Sequence, residues 1–212
     1  MDIHLLAFIY FSGKSNFICG LLTEFRSHFV LDNNNDIKNI YYYHLESCEN
    51  TTRLKHEFSK AENIEISLKI SKKLPDNLVD VVLPKSIVVL DDLESVVLSN
   101  TSLIKQLHHF SSVLCHHKQI FLFFVAQSVS ILKKSSKLNT CVGNATHFVL
   151  FRNIMECKSL KRFLSSLSIK MKCGLTASEI YERYVLPRRF EYLLICTSAR
   201  ACRATAYSNI LH

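Results

Sequence analysis

Two short runs of the sequence, residues 86–90 (SIVVL) and 119–126 (QIFLFFVA), contain no charged residue and almost no polar one. Each is as long as a strand and far shorter than the ~20 apolar residues of a membrane-crossing helix. Neither alternates as a strand with one wet face does, so both must be buried on both faces. The arrangement that buries strands in this way is a parallel sheet with helices packed on either side.

The remaining segments supply the strands and helices such a sheet needs. Short β-rich runs at 3–11, 37–43, 64–70, 147–151 and 190–197 read as further strands, the one at 190–197 being the last. Longer segments at 15–27, 48–59, 93–117 and 156–166 read as helices, and Thr176-Ala177-Ser178-Glu179 has the pattern of a capping box opening a helix to about Val185. Residues 33–35 and the basic, Ser-rich stretch 133–139 read as loops, and the chain turns at Pro75. With 212 residues, 48% of them hydrophobic, one sizeable core can form. The expected architecture is a single three-layer α/β domain over 1–212 with a mostly parallel central sheet. Residues 1–132 form its core, and 133–212 form a basic C-terminal part of the same domain.

The formal net charge of +8 conceals an asymmetry. Residues 1–132 hold 12 Lys/Arg against 14 Asp/Glu, for −2, whereas residues 133–212 hold 14 against 4, for +10. A basic final third points to an anionic partner, nucleic acid first and an acidic membrane surface second. A basic face that serves only solubility stands beside these readings. The eight cysteines are scattered without a CxxC pair, and Asp2 and His4 stand where a signal peptide carries basic residues. A reducing, intracellular compartment is therefore expected. Cys115-His116-His117, with His108 and His109 just before, is the one cluster that could ligate a metal, although a polar helix end explains it more plainly.

Three motifs fall at the ends of expected strands. Gly13-Lys14-Ser15 follows the first strand and opens a helix, the place where a phosphate-gripping loop sets a lysine on phosphate and a hydroxyl on Mg²⁺. The first glycine of the full GxxxxGK[ST] pattern falls on Phe8, followed by Ile9, Tyr10, Phe11 and Ser12. Asp91-Asp92 ends the strand at 86–90, where it could hold Mg²⁺ and orient a water, or could cap the next helix. Gln127 ends the strand at 119–126 and could place an amide at the same edge, or could serve only a turn.

In this order, a strand with GKS and a helix, then VVLDD, then FFVAQ, the chain resembles the P-loop DNA-packaging ATPases of the FtsK/HerA branch, and among them the poxvirus-type and Maverick/Polinton-type viral enzymes. "IKNIYYYH" is similar to the family's second strand and "VVLPKSIVVLDDLES" to its Walker B segment. "FSSVLCHHKQIFLFFVAQSV", "NATHFVLFRN" and "IYERYVLPRRFEYLLI" match later segments, so the likeness runs through most of the chain.

The resemblance implies a P-loop ATPase that hydrolyses MgATP, assembles as a ring and drives double-stranded DNA into a capsid at a virion assembly site or in the host nucleus or cytoplasm. Ser12, Gly13, Lys14, Ser15 and Asn16 would form the Walker A segment, with Lys14 on phosphate. Ser15 and Asp91 would hold Mg²⁺, Asp92 would be the catalytic acid with Glu94 as a weaker substitute, and Gln127 would be the sensor. Family members carry an arginine in the loop after the sensor strand, where this chain has Lys137-Leu138-Asn139-Thr140; Arg152 lies beyond the next strand. The alternative is a catalytically inactive P-loop-like scaffold that binds DNA or a capsid protein through the basic third.

Overall fold

The computed structural model describes residues 5–9, 14–24, 37–45, 49–60, 66–127, 135–152, 157–166, 175–187, 191–196 and 203–208. Their strands are β1 (Leu5–Ile9), β2 (Asn39–His44), β3 (Ser67–Ser71), β4 (Ser86–Asp91), β5 (Ile120–Ala126), β6 (His147–Phe151), β7 (Glu191–Cys196) and β8 (Arg203–Ser208). They form one sheet in the order β3-β2-β4-β5-β1-β6-β7-β8. Neighbours from β3 through β6 are parallel, β7 is antiparallel to β6, and β8 is antiparallel to β7. Strands from both sides of the charge boundary at residue 132 thus share the sheet.

Side-chain alternation divides the core into two layers. Ile87 and Val89 of β4, with Phe121, Phe123 and Val125 of β5, pack under Ile18, Cys19 and Leu22 of α1 (Lys14–Thr23) and Leu54 of α2 (Glu49–Lys60). The intervening residues Val88, Leu90, Leu122, Phe124 and Ala126 face the opposite layer. That layer contains Leu78 of α3 (Leu78–Val81), Val97 of α4 (Glu94–Ser99), and Leu103 and Leu107 of α5 (Thr101–His109). Every residue of β4 and β5 is buried, as their apolar sequences require, and each large side chain so buried contributes ~1.5–3 kcal/mol.

The segment expected to be helical over 93–117 is interrupted at Asn100, whose side chain accepts from the Leu103 N–H at 3.1 Å and caps α5. The helix then continues through a π-helical turn, Phe110–Leu114, into Cys115–His117.

Two expectations are corrected. The stretch 133–139, read as a loop, is helical from residue 136 onward: α6 spans Ser136–Gly143. Leu138 is buried, and Cys141 and Val142 pack against the same core layer, so an i, i+3, i+4 apolar stripe lies hidden among Lys, Asn and Thr. The strand at 190–197 is also not the last, since β8 pairs with β7 from Glu191↔Ser208 to Cys196↔Arg203. Its sequence, RATAYS, lacks the continuous apolar signature of the inner strands because it closes one end of the described sheet.

α7 (Cys157–Ser166) packs Phe163 edge-on against Phe148 of β6 at 5.3 Å between ring centroids. The expected capping box is formed in full at α8 (Ala177–Ile180): the Glu179 N–H donates to Thr176 Oγ1, and the Thr176 N–H donates to Glu179 Oε2. α8 continues through a π-helical turn, Tyr181–Val185, and the Tyr181 hydroxyl donates to the Phe151 carbonyl at the end of β6, 2.8 Å away.

Candidate functional site

Because β1, β4, β5 and β6 are parallel, their C-terminal ends meet at one edge of the sheet. Asp91 is level with Val125 and Val125 with Phe8, while Ile9 is level with Ala126 and Leu150. Phe8, on which the pattern's first glycine falls, is inside β1 and paired with strands on both sides, so it is strand and not loop. The connection to α1 is residues 10–13, and Ser12 and Gly13 within it lie outside the described residues.

Lys14 opens α1 and is only 9% exposed. An ammonium so buried requires a partner, and its Nζ is paired with Asp92 Oδ1. Asp92 has a φ of 53°, in the left-handed region that Asp tolerates better than most residues, and its N–H donates to the Val125 carbonyl at 3.1 Å. The chain therefore turns sharply as it leaves β4. Neither aspartate caps the following helix: the N-cap position of α4 is Leu93, with no side-chain hydrogen bond.

Asp91 continues the alternation of Ile87 and Val89 and lies on the α1 face of the sheet. The hydroxyl of Ser15, one residue into α1, donates to Asp91 Oδ2 at 3.1 Å. The hydroxyl of Tyr42, on the neighbouring strand β2, donates to the same oxygen at 2.6 Å. The other oxygen, Oδ1, is buried and has no hydrogen-bond partner among the described residues. Burial raises the Asp91 carboxyl above its ordinary range; the Tyr42 hydrogen bond opposes this, the charge of Asp92 adds to it, and Lys14 and Ser15 oppose it. A buried, unpaired carboxylate oxygen is costly. A hard cation that takes oxygen ligands supplies the missing partner, so Asp91 and Ser15 fit Mg²⁺ on their chemistry.

Glu94, the first residue of α4, is only 5% exposed, and its Oε1 accepts from the backbone N–H of Gln127. Burial raises this carboxyl too, against the hydrogen bond from Gln127. The Gln127 side chain is exposed, so its described link to the site is through the main chain. We expect Glu94→Ala to cost ~1–3 kcal/mol in chemical denaturation, because the Gln127 N–H loses its acceptor, whereas Glu94→Gln retains most of that stability. Equal midpoints for all three proteins would show that the bond carries no weight.

The structure thus brings Lys14, Ser15, Asp91 and Asp92 together, with Glu94 close enough to feel the charges of Asp92 and Lys14. Asn16 is exposed on α1. Arg152 directly follows β6, and its Nε is buried without a hydrogen-bond partner among the described residues. Cys115 is in the core, where burial pushes its thiol up to about 12. Sequence reasoning missed Tyr42. Its signal was the middle tyrosine of the second strand, but only the β2–β4 register, with Tyr42 level with Val89 and His44 with Asp91, brings it to the aspartate.

Among solved structures, the chain is similar to the cytoplasmic domain of the Type VII secretion ATPase EccC of Thermomonospora curvata, with a TM-score of 0.57, 13% identity, and coverage of 97% of this chain and 25% of that one. It is similar to EssC (ATPases 2 and 3) from Geobacillus thermodenitrificans, with a TM-score of 0.56, 19% identity, and coverage of 98% and 40%. The cytoplasmic domain of EssC gives a TM-score of 0.52 at 16% identity, again with coverage of 98% and 40%. The chain shares the α/β fold of these ATPase domains. It spans between a quarter and two-fifths of the length of these chains, and at such identities the likeness is one of fold. No protein-family model and no curated protein matches the sequence.

Proposed function

We propose that the chain is the MgATP-hydrolysing domain of a DNA-translocating motor of the viral packaging type, working as a ring of like subunits. The observation that carries this reading is the convergence of Lys14, Ser15, Asp91 and Asp92 at one sheet edge around a carboxylate oxygen that lacks a partner among the described residues. The fold shared with ATPase domains of secretion motors supports it.

Lys14 serves as the phosphate-binding cation. Its present partner is Asp92, so an arriving triphosphate competes for the ammonium and sets the Asp92 carboxylate free. The freed carboxylate orients and deprotonates the attacking water. Ser15 and Asp91 hold Mg²⁺, which when bound neutralises phosphate charge and aligns the reacting oxygens. Glu94 ties the end of β5 to the start of α4, so the Gln127 position moves with the Walker B segment.

DNA is assigned to the positive C-terminal part, 14 Lys/Arg against 4 Asp/Glu over residues 133–212, and a capsid protein is a further partner of the assembled motor. Phosphate release from ATP should be Mg²⁺-dependent and stimulated by duplex DNA. DNA affinity should fall steeply with salt, log K declining linearly with log salt by ~0.9 per phosphate contact. A salt-independent affinity contradicts the DNA assignment. Absence of nucleotide binding together with salt-dependent DNA binding instead marks an inactive scaffold, a reading favoured by the way Asp92 already satisfies Lys14.

A further inference from the structure

We propose that Tyr42 is a positioning residue for the metal site, fixing the Asp91 carboxylate so that Oδ1 faces the cation. The proposal rests on the reading of Asp91 as a Mg²⁺ ligand. A carboxylate at the end of a strand rotates about its terminal torsion, which has a broad, two-fold profile. Two hydroxyl donors on one oxygen remove that freedom. Ser15 is one, but at 3.1 Å its bond is the longer, and its own oxygen is needed at the metal. Tyr42 donates at 2.6 Å from a ring that is fully buried between sheet and helices, beside Ile40 and Val89 in the α1 layer. Its anchor is therefore a wholly buried ring, whereas Ser15 is half-buried. The consequence is the asymmetry observed at Asp91 among the described residues: Oδ2 carries both donors and Oδ1 carries none.

The chemistry is that of an outer partner orienting a metal ligand, and loss of such a partner typically weakens metal binding ~10–100-fold. A phenol suits the role because it donates to an ionised carboxylate without adding charge to a site that must also accept a triphosphate. Residues 41–43 are all tyrosine, but Tyr41 and Tyr43 pack in the opposite core layer, and only the middle ring has the parity that reaches Asp91.

The test is Mn²⁺ binding, followed by electron paramagnetic resonance in the presence of ADP, for wild type, Tyr42→Phe and Asp91→Ala, with metal-free ADP affinity measured in EDTA. We expect Tyr42→Phe to weaken Mn²⁺ binding ~10-fold while leaving ADP affinity in EDTA unchanged. Equal Mn²⁺ affinity in wild type and Tyr42→Phe overturns the proposal, as does an equal loss with and without metal, which marks a merely structural role. If Asp91→Ala binds Mn²⁺ as wild type does, the parent reading of the metal site fails instead. Should Tyr42→Phe not fold, 3-fluorotyrosine at position 42 keeps the hydroxyl: its ¹⁹F resonance should move when Mg²⁺ joins the ADP-bound protein, and an unmoved resonance overturns the proposal.

Discussion

Lys14→Ala is expected to abolish the thermal stabilisation of this chain by MgATP. A ligand present at about 100 times its Kd stabilises by ~2.7 kcal/mol, and for a chain of this size that corresponds to a rise of roughly 5–10 °C in Tm. The variant should show no rise, and its rate of phosphate release should fall at least ~100-fold, the scale on which one charge-stabilising group acts at a reacting centre. The effect should not come from unfolding. The partner left behind, Asp92, has a side chain 38% exposed that water can solvate, so removing the lysine leaves no buried unpaired charge. Far-UV circular dichroism of the variant checks this. A shift equal to wild type would remove Lys14 from the phosphate site.

Asp91→Asn is expected to act in two opposite directions. Burial raises the Asp91 carboxyl above its ordinary value of 3.8, so the folded protein holds that proton more tightly than the unfolded chain does. The corresponding stability is complete below the ordinary value and is lost as pH rises through the raised one, above which a buried anion is left. Asn removes the charge, and its carbonyl oxygen can still accept from Tyr42 and Ser15. Metal-free Asp91→Asn should therefore melt above wild type, with the gap widening as pH rises from 3.8 through the raised value. With Mg²⁺ and nucleotide the order reverses, because only wild type gains a cation at Oδ1. A variant less stable than wild type at every pH in EDTA would mean that Asp91 is a structural carboxylate.

These effects meet at a site that was only partly legible in the sequence. The apolar runs around Val88 and Phe123 required strands buried on both faces, and the sheet has them. Lys14, Ser15, Asp91 and Asp92 were found as residue types at strand ends, where ligands of open α/β sheets gather. What pattern could not supply was pairing. That β5 lies between β1 and β4, and that β2 lies beside β4, are facts of strand order, and the Tyr42–Asp91 bond depends on them. The partition between Asp92 and Glu94 was equally hidden: the left-handed turn at Asp92 sends one carboxylate to Lys14, while Glu94 is held at the Gln127 main chain. At α6 the polar letters of 133–139 masked a three-residue apolar stripe, and at β8 an end strand lacked any apolar signature.

The central claim is that Lys14, Ser15, Asp91 and Asp92 form one MgATP site. Calorimetric titration of a non-hydrolysable ATP analogue into the purified protein, once with Mg²⁺ and once with EDTA, tests it most directly. Saturable binding with Mg²⁺ at one site per chain is expected, with affinity at least ~10-fold weaker in EDTA. No binding heat at millimolar analogue in either buffer, or identical affinities in both, would contradict it.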